Sequence, residues 1–149
     1  MIALSKPIIG DEEKQAVMRV LDSGMIAQGP EVAAFEDEFS RFVEGHHCIA
    51  VNSGTSALHL GLLASGVECG HEVIIPSFTF AATANAVSLC GATPVFVDIN
   101  ADTFTMDPEA VEAAITENTS AIMPVHLYGH PAEMDPLTEI CARKGLTLL

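Results

Sequence analysis

The stretch that decides the fold is residues 72–97, which read EVIIPSFTFAATANAVSLCGATPVFV. Its two ends, 72–75 and 94–97, are short apolar runs typical of buried strands, and 78–89 between them is predicted to be a helix. No residue from 73 to 97 is charged, so this part is long enough to span a bilayer core of about 30 Å. Its prolines and its many Ser, Thr and Asn side chains favour a buried strand, helix and strand instead.

The alternation of short apolar runs with helical segments continues on both sides of this stretch. Further strands are predicted at 48–51, 121–125 and 146–149, and further helices at 11–22, 30–43, 55–65, 108–115 and 133–143. This pattern predicts an α/β fold with a mostly parallel sheet and helices on both faces. In the second helix, the spacing of Phe35, Phe39 and Phe42 indicates a side that faces a core. We assign residues 1–149 to part of one domain, and because a predicted strand ends the sequence we expect that domain to be truncated.

The composition excludes several classes of function. The 149 residues (15.7 kDa) are 49% hydrophobic and 17% charged with a mean hydropathy of +0.37, which argues for a folded core and against disorder. Six Lys and Arg against twenty Asp and Glu give a net charge of −14. Such a surface repels phosphate backbones and anionic lipid, so we expect neither nucleic-acid nor membrane partners. An anionic ligand must therefore be held by local donors.

The cysteines and the amino terminus suggest a cytoplasmic protein. The four cysteines are widely spaced and form no C-x-x-C pair, which is weak support for a metal or disulfide framework: Cys48, Cys69, Cys90 and Cys141. Free thiols in a reducing compartment are the simplest interpretation. The acidic residues at 11–13 follow Met1 too closely for the apolar core of a signal peptide.

The strongest local signal for a ligand site is residues 52–57, NSGTSA, which join an apolar run to a helix. Gly54 is expected to let the backbone turn tightly. Thr55 and Ser56 offer hydroxyls and backbone N–H groups at the helix N-terminus, a site suited to a phosphate. A plain N-cap would explain the same residue types. Neither a G-x-G-x-x-G nor a Walker motif is present, so dinucleotide and nucleoside triphosphate sites have no support.

The residues that follow the strand at 72–75 reach the same edge of the predicted sheet. Phe78 or Phe80 could stack on a planar ring there, although both could equally be core residues. Asn85 is either a polar group near the site or a buried amide with satisfied hydrogen bonds.

Polar side chains also follow the strand predicted at 121–125, in residues 126–130, which read HLYGH. An i, i+4 pair of histidines on a helix would suggest a metal site. Because Gly129 and Pro131 oppose a helix here, we predict no metal site at His126 and His130.

Five segments occur in a fixed order along the chain: 28–30 (QGP), 52–58 (NSGTSAL), 76–80 (PSFTF), 91–98 (GATPVFVD) and 124–129 (PVHLYG). Together they resemble the DegT/DnrJ/EryC1/StrS family, whose members are sugar aminotransferases of fold type I that use pyridoxal 5′-phosphate (PLP). The resemblance covers the whole chain. It implies that these residues form the N-terminal part of the large, PLP-binding domain.

The resemblance also implies roles for individual residues. The cofactor phosphate would be held by Gly54, Thr55 and Ser56, and the cofactor ring would stack on Phe80. The loop that contains Met25, Ile26 and Gln28 would approach the sugar substrate. The implied reaction moves an amino group, usually from glutamate, to a keto-sugar carried on a nucleotide diphosphate, in polysaccharide or deoxyamino-sugar biosynthesis. The family pattern further implies a homodimer.

The family's catalytic lysine has no counterpart in the matched segments, and we expect it to lie beyond Leu149. The lysines of this sequence are Lys6, Lys14 and Lys144, and all three are expected to be exposed and charged. No catalytic residue is therefore assigned, and the 149 residues alone are expected to be inactive. Two alternatives stay open: a PLP-dependent sugar dehydratase with histidine in place of that lysine, and a non-catalytic binding or regulatory module.

Overall fold

The computed structural model describes residues 6–149 and divides the chain between Ala50 and Val51 into two compact units. We call the first the helical unit and the second the sheet unit. Within residues 6–149, no helix combines the length and the apolar character that a membrane crossing requires.

The helical unit contains α1 (Asp11–Ser23) and α2 (Pro30–Phe42). A carboxylate helps to start α1, because the Gly10 N–H donates to Glu13 Oε2 at 2.6 Å. Pro30 occupies the first turn of α2, where its missing N–H removes no helical hydrogen bond. Neither helix contains a buried residue.

The sheet unit alternates helices with strands. In chain order it contains α3 (Gly54–Ala64), β1 (Glu72–Pro76), α4 (Ala82–Leu89), β2 (Thr93–Val97), α5 (Pro108–Ala114), β3 (Thr119–Ile122), a 3₁₀ turn (Leu127–Gly129), α6 (Met134–Lys144) and β4 (Thr147–Leu148). The strands pair in the order β2-β1-β3-β4, and every pairing is parallel. In the register Ile74 of β1 lies opposite Val95 of β2 and Ile122 of β3.

Helices cover both faces of this sheet, as the sequence predicts. Val73 and Ile75 pack on one face in a cluster that includes residues of α3 and α4. Ile74 points the other way and packs in a second cluster that includes residues of α5 and α6. Because side chains alternate along a strand, three consecutive apolar residues in β1 feed both cores. The predicted fold class is therefore confirmed.

The strand order reverses direction at one place in the sheet, which we call the switch point. The chain leaves β1 for β2 on one side, and β3 then pairs with the other side of β1. In parallel α/β sheets, ligands bind in the crevice outside the carboxyl ends of strands where the strand order reverses. In the sheet unit that crevice lies beyond Pro76 and Ile122.

The strand β2 forms one edge of the sheet and contains a proline. The Thr93 N–H donates inward to the His71 carbonyl oxygen at 2.9 Å. Successive backbone nitrogens alternate in direction, so the nitrogen of Pro94 faces away from β1. The missing N–H therefore removes no hydrogen bond from the sheet.

Two predicted elements differ most from the structure, and the strand predicted at 121–125 is observed two to three residues earlier, at Thr119–Ile122. Residues 48–51 do not form a strand, and the Ala50 N–H donates to Glu36 Oε1 at 2.8 Å instead of to a neighbouring strand. The helix predicted at 78–89 begins only at Ala82, since the Ser77 N–H donates to the Val97 carbonyl oxygen and holds the start of this segment as a loop.

The prediction that the phenylalanines of α2 face a core is wrong for the structure described here. Phe35, Phe39 and Phe42 are all exposed. They contact one another along the helix, with ring centroids 5.8 Å and 6.0 Å apart. Their spacing does mark one apolar side of α2, but no element of the helical unit buries it.

Candidate functional site

A cavity of about 880 Å³ lies at the switch point of the sheet unit. Three segments form its walls: the N-terminus of α3, the loop after β1 and the segment after β3. The residues that line it are Gly54, Thr55, Ala57, Leu58, Phe78, Thr79, Phe80, Ala82, Thr83, Val125, His126, Leu127 and Tyr128. None of them is Asp, Glu, Lys or Arg, so the cavity offers hydroxyls, backbone groups and aromatic rings.

The N-terminus of α3 presents two backbone donors. Ser53 is the N-cap, and its Oγ accepts a hydrogen bond from the Ser56 N–H at 3.1 Å. Ser56 Oγ in turn donates to Asn52 Oδ1 at 2.7 Å. The N–H groups of Gly54 and Thr55 have no acceptor within residues 6–149. These two N–H groups are therefore available to an anion.

The structure brings two of the three predicted phosphate-binding residues to the cavity. Gly54 and Thr55 line it, whereas Ser56 lies next to them with its N–H and hydroxyl engaged in the cap network. The plain N-cap considered in the sequence analysis is real, but it belongs to Ser53.

The expected reason for a glycine at position 54 is wrong. Gly54 has no positive φ and is the first residue of α3, so the turn before the helix does not require glycine. A Cβ added at Gly54 would meet no other atom within 4 Å. Packing does not demand glycine either, and what its small size provides is open space beside the helix N-terminus.

The loop after β1 supplies two aromatic rings to the cavity. Phe80 is 79% exposed, and Phe78 is also exposed but rests on Phe104 with ring centroids 6.3 Å apart. The possibility that both are core residues is therefore excluded. The hydroxyls of Thr79 and Thr83 bond each other at 2.8 Å in the same wall.

The ring of Phe104 packs against Phe78, and the backbone of Phe104 is strained. Its φ is +58°, in the left-handed region that residues other than glycine rarely adopt. The turn that contains it is closed by the Phe104 N–H, which donates to the Asn100 carbonyl oxygen at 2.8 Å.

The segment after β3 contributes His126 and Tyr128, to which the sequence analysis gave no role. The Ala132 N–H donates to His126 Nδ1 at 3.1 Å, which closes a loop of seven residues. At its tip Tyr128 is 94% exposed and has a φ of +49°. The available signal was position alone, since both residues directly follow a predicted strand.

The two remaining polar candidates lie elsewhere. His130 does not line the cavity, and Asn85 is exposed on α4, so it is not a buried amide. No group of three or more His, Cys, Asp or Glu side chains in the described part of the chain is arranged to hold a metal ion.

The residues predicted to approach the sugar lie in the helical unit. Met25, Ile26 and Gln28 are exposed in the loop between α1 and α2. Met25 lines a small cavity of about 160 Å³ together with Arg19 and Glu31, which form an ion pair at 3.8 Å. Their role toward a substrate stays a prediction.

The lysines of this chain are exposed, and burial makes two of its four cysteines less reactive. All three lysines are exposed, and Lys14 pairs with Asp11 at 3.0 Å. None of the four cysteines forms a disulfide bond within residues 6–149. Burial raises the pKa of Cys90 and of Cys141, which lowers the thiolate fraction and hence their reactivity.

Two curated relatives match most of this chain. The erythromycin biosynthesis sensory transduction protein EryC1 of Saccharopolyspora erythraea is 55% identical over 135 residues, which are 91% of this chain and 37% of the relative. The dTDP-3-amino-3,4,6-trideoxy-alpha-D-glucose transaminase of Streptomyces venezuelae is 51% identical over 138 residues, which are 93% of this chain and 36% of the relative. The chain thus spans a little over a third of the length of these relatives.

Two solved structures share the fold. DesV of S. venezuelae, determined in complex with a ketimine intermediate, has a TM-score of 0.89 at 51% identity, with 93% of this chain and 37% of that chain covered. Spr1654 of Streptococcus pneumoniae in its PLP form has a TM-score of 0.91 at 38% identity, with 99% of this chain and 38% of that chain covered.

The family model described as the DegT/DnrJ/EryC1/StrS aminotransferase family matches residues 7–149. The match extends from before α1 to beyond β4, so it includes all the helices and strands of both units. The resemblance seen in the five sequence segments is confirmed, and the chain belongs to the DegT/DnrJ/EryC1/StrS aminotransferase family.

Proposed function

We propose that the protein is a PLP-dependent sugar aminotransferase and that its sheet unit forms the part of the cofactor site that holds the phosphate and one face of the ring. One observation supports this proposal most directly. A helix N-terminus with two backbone N–H groups unpaired within residues 6–149 and an exposed phenylalanine line the same cavity. The transaminase of S. venezuelae and the PLP form of Spr1654 support it.

The donors at α3 fit a phosphate group. The protein carries a net charge of −14, and no Lys or Arg lines the cavity, so attraction must come from local groups. The N–H groups of Gly54 and Thr55 point out of a helix N-terminus, where the macrodipole amounts to about half a positive charge. Thr55 adds a hydroxyl, and Gly54 leaves space for close approach. We propose that Ser56 supports this site through the cap network.

The aromatic side of the cavity fits a planar ring. Phe80 keeps most of its surface exposed, and Phe78 is held next to it by Phe104. An exposed aromatic face favours stacking on a flat heterocycle. The cavity volume of about 880 Å³ lies within the range of small-molecule sites, roughly 300–1,000 Å³.

PLP, when bound, supplies the electron sink for moving an amino group between an amino acid and a keto group. The residues of this chain would bind and orient it: Gly54 and Thr55 fix the phosphate, and Phe80 fixes the plane of the ring. We assign no catalytic residue among residues 1–149. Lys6, Lys14 and Lys144 are exposed, whereas an amine that reacts with a carbonyl needs desolvation or a cationic neighbour. We propose that a lysine outside these residues performs this step.

We further propose the substrates and the assembly of the protein. The amino acceptor is a keto-sugar linked to a nucleotide diphosphate, and the donor is glutamate. Met25, Ile26 and Gln28 would contact the sugar. The exposed apolar side of α2 supports a homodimer, which sedimentation velocity would detect. The proposed setting is the cytoplasm, in polysaccharide or deoxyamino-sugar biosynthesis.

Replacing one hydroxyl tests the phosphate site. Thr55→Val keeps the shape of the side chain but removes its hydroxyl from the cavity. The loss of one hydrogen bond to a charged group should weaken PLP binding by about 1.5–3 kcal/mol, or roughly tenfold or more in Kd. Titration of PLP, followed by absorbance, measures this change.

The matched control is Thr138→Val, the same chemical change at an exposed position of α6. It should leave the Kd for PLP unchanged. Equal PLP affinity in Thr55→Val and the wild type would contradict the assignment of the phosphate site.

Adding glutamate to the PLP-loaded protein that also contains the lysine proposed to lie outside residues 1–149 separates an aminotransferase from a binding module. Conversion of the cofactor to its amine form, seen in the absorbance spectrum, supports transamination. Tight PLP binding with no conversion would instead support the non-catalytic module.

A further inference from the structure

The segment after β3 holds a histidine in one tautomer. The Ala132 N–H donates to His126 Nδ1 at 3.1 Å. A backbone N–H can only donate, so Nδ1 must be unprotonated and the neutral ring carries its proton on Nε2. His126 has no second side-chain hydrogen bond within residues 6–149. Nε2 is therefore left as a donor.

This donor belongs to a different wall of the cavity from the phosphate site. His126 follows β3, whereas Gly54 and Thr55 begin α3, which precedes β1 in the chain. Two of the other polar side chains in the lining, Thr79 and Thr83, already bond each other at 2.8 Å. Among residues 6–149, the aromatic N–H of His126 is thus a free donor in this wall, next to the hydroxyl of Tyr128, and can reach a polar group on the ring of a bound ligand.

We propose that His126 donates a hydrogen bond from Nε2 to the ring hydroxyl oxygen of bound PLP, an inference that rests on the proposed function. The side chain then has two tasks. Nδ1 ties the loop at Ala132, and Nε2 positions the cofactor ring. The contact of Ala132 with Nδ1 keeps the imidazole oriented before the ligand arrives, which reduces the entropy lost on binding. His126 is a binding and positioning residue in this scheme.

Two substitutions separate the two tasks. In His126→Asn the amide oxygen can replace Nδ1 as the acceptor for Ala132, but no donor remains at the position of Nε2. In His126→Gln the amide nitrogen can replace the Nε2 donor, while the acceptor for Ala132 is lost. We expect His126→Asn to bind PLP about tenfold more weakly or worse, and His126→Gln to bind PLP more tightly than His126→Asn. A role in tying the loop alone gives the opposite order and would overturn the inference.

The matched control is His130→Asn, which makes the same change at a histidine outside the cavity. It should leave the Kd for PLP unchanged. Thermal unfolding of all variants shows whether the loop tie contributes to stability independently of binding.

A ligand change tests the acceptor atom. 3-Deoxypyridoxal 5′-phosphate lacks the ring hydroxyl, so His126→Asn should bind it as well as the wild type does. An equal loss of affinity for both ligands would contradict the ring hydroxyl as the acceptor. If His126→Asn fails to fold, the wild type decides alone: equal affinity for PLP and for the deoxy analogue would overturn the inference.

PLP binding by the wild type distinguishes a failure of the proposed function from a failure of the role proposed for His126. If the wild type binds no PLP, the proposed function fails. If the wild type binds PLP and His126→Asn binds it equally well, only the role of His126 fails.

Discussion

The helical unit and the sheet unit carry similar apolar patterns but bury them very differently. Phe42, at the end of α2, is 82% exposed, whereas Ile74, in the centre of β1, is 0% exposed. In the helical unit neither α1 nor α2 contains a buried residue. In the sheet unit both faces of β1 are covered by helices from the same unit.

The difference shows what an amphipathic pattern can and cannot specify. The pattern tells which side of an element is apolar, but not which element covers it. In a parallel sheet the crossover helices must pack back on the strands that they connect, so the chain supplies its own cover. In the helical unit no crossover forces such packing, and the apolar side of α2 stays exposed.

The largest expected effect comes from removing a buried side chain of the sheet unit. Ile74→Ala should lower the free energy of unfolding by about 2–5 kcal/mol, because it leaves a cavity between two well-packed layers. Phe42→Ala should change it by less than about 0.5 kcal/mol, because the ring is already exposed. Urea denaturation of both variants measures the difference. If Phe42→Ala is as destabilising as Ile74→Ala, the apolar side of α2 is covered in solution, and a second copy of the chain becomes its first candidate.

A smaller effect, with opposite signs in the two units, is expected from glycine substitutions. Phe104 has a φ of +58°, so Phe104→Gly should be more stable than Phe104→Ala by about 1 kcal/mol. Phe35 lies inside α2, so there Phe35→Gly should be less stable than Phe35→Ala by about 1 kcal/mol. Thermal unfolding of the four variants tests both signs. The same sign in both pairs would mean that the backbone of Phe104 relaxes at little cost.

The smallest effect concerns the pH dependence of one exposed carboxylate in each unit. The hydrogen bond from Arg143 and its charge hold the pKa of Glu112 below 4.5 in the sheet unit. In the helical unit, hydrogen bonds from the backbone N–H groups of Glu13 itself and of Gly10 hold the pKa of the Glu13 carboxyl below 4.5. A lowered pKa means that each carboxylate stabilises the fold above pH 4.5 and loses this contribution as the pH falls through its folded-state pKa.

Arg143→Gln and Glu13→Gln should therefore show a shallower loss of melting temperature than the wild type as the pH is lowered from neutral into the acid range. Melting curves over this range measure the effect in each unit. A wild-type slope in both variants would show that these contacts add nothing to stability, as is common for exposed pairs.

The sheet and its helices could be predicted because their signals are local. The apolar runs at 72–75 and 94–97 and the uncharged segment between them specify two strands and a crossover helix. Only β1 is buried as predicted, because β2 lies at the sheet edge and leaves Phe96 exposed. The strand predicted at 48–51 failed for a tertiary reason, since Glu36 from α2 takes the N–H of Ala50 that a neighbouring strand would need.

The candidate site was predictable only in part. The donors at Gly54 and Thr55 follow from a helix N-terminus that is predicted directly after an apolar run, and the exposed ring of Phe80 follows from a strand end. His126 was missed because its tautomer depends on the N–H of Ala132, six residues later, across a loop whose closure no spacing rule describes. The switch point itself depends on the strand order, which the sequence does not display.

The proline in β2 also affects how the protein behaves toward its neighbours in a concentrated solution. An open sheet edge can recruit a strand from another molecule, and such recruitment begins aggregation. At β2 an incoming strand would find no hydrogen-bond donor at Pro94, because this nitrogen faces the edge and carries no hydrogen. The net charge of −14 adds repulsion between copies of the same chain. The edge at β2 is thereby made less favourable for intermolecular strand addition by a residue that leaves the intramolecular ladder intact.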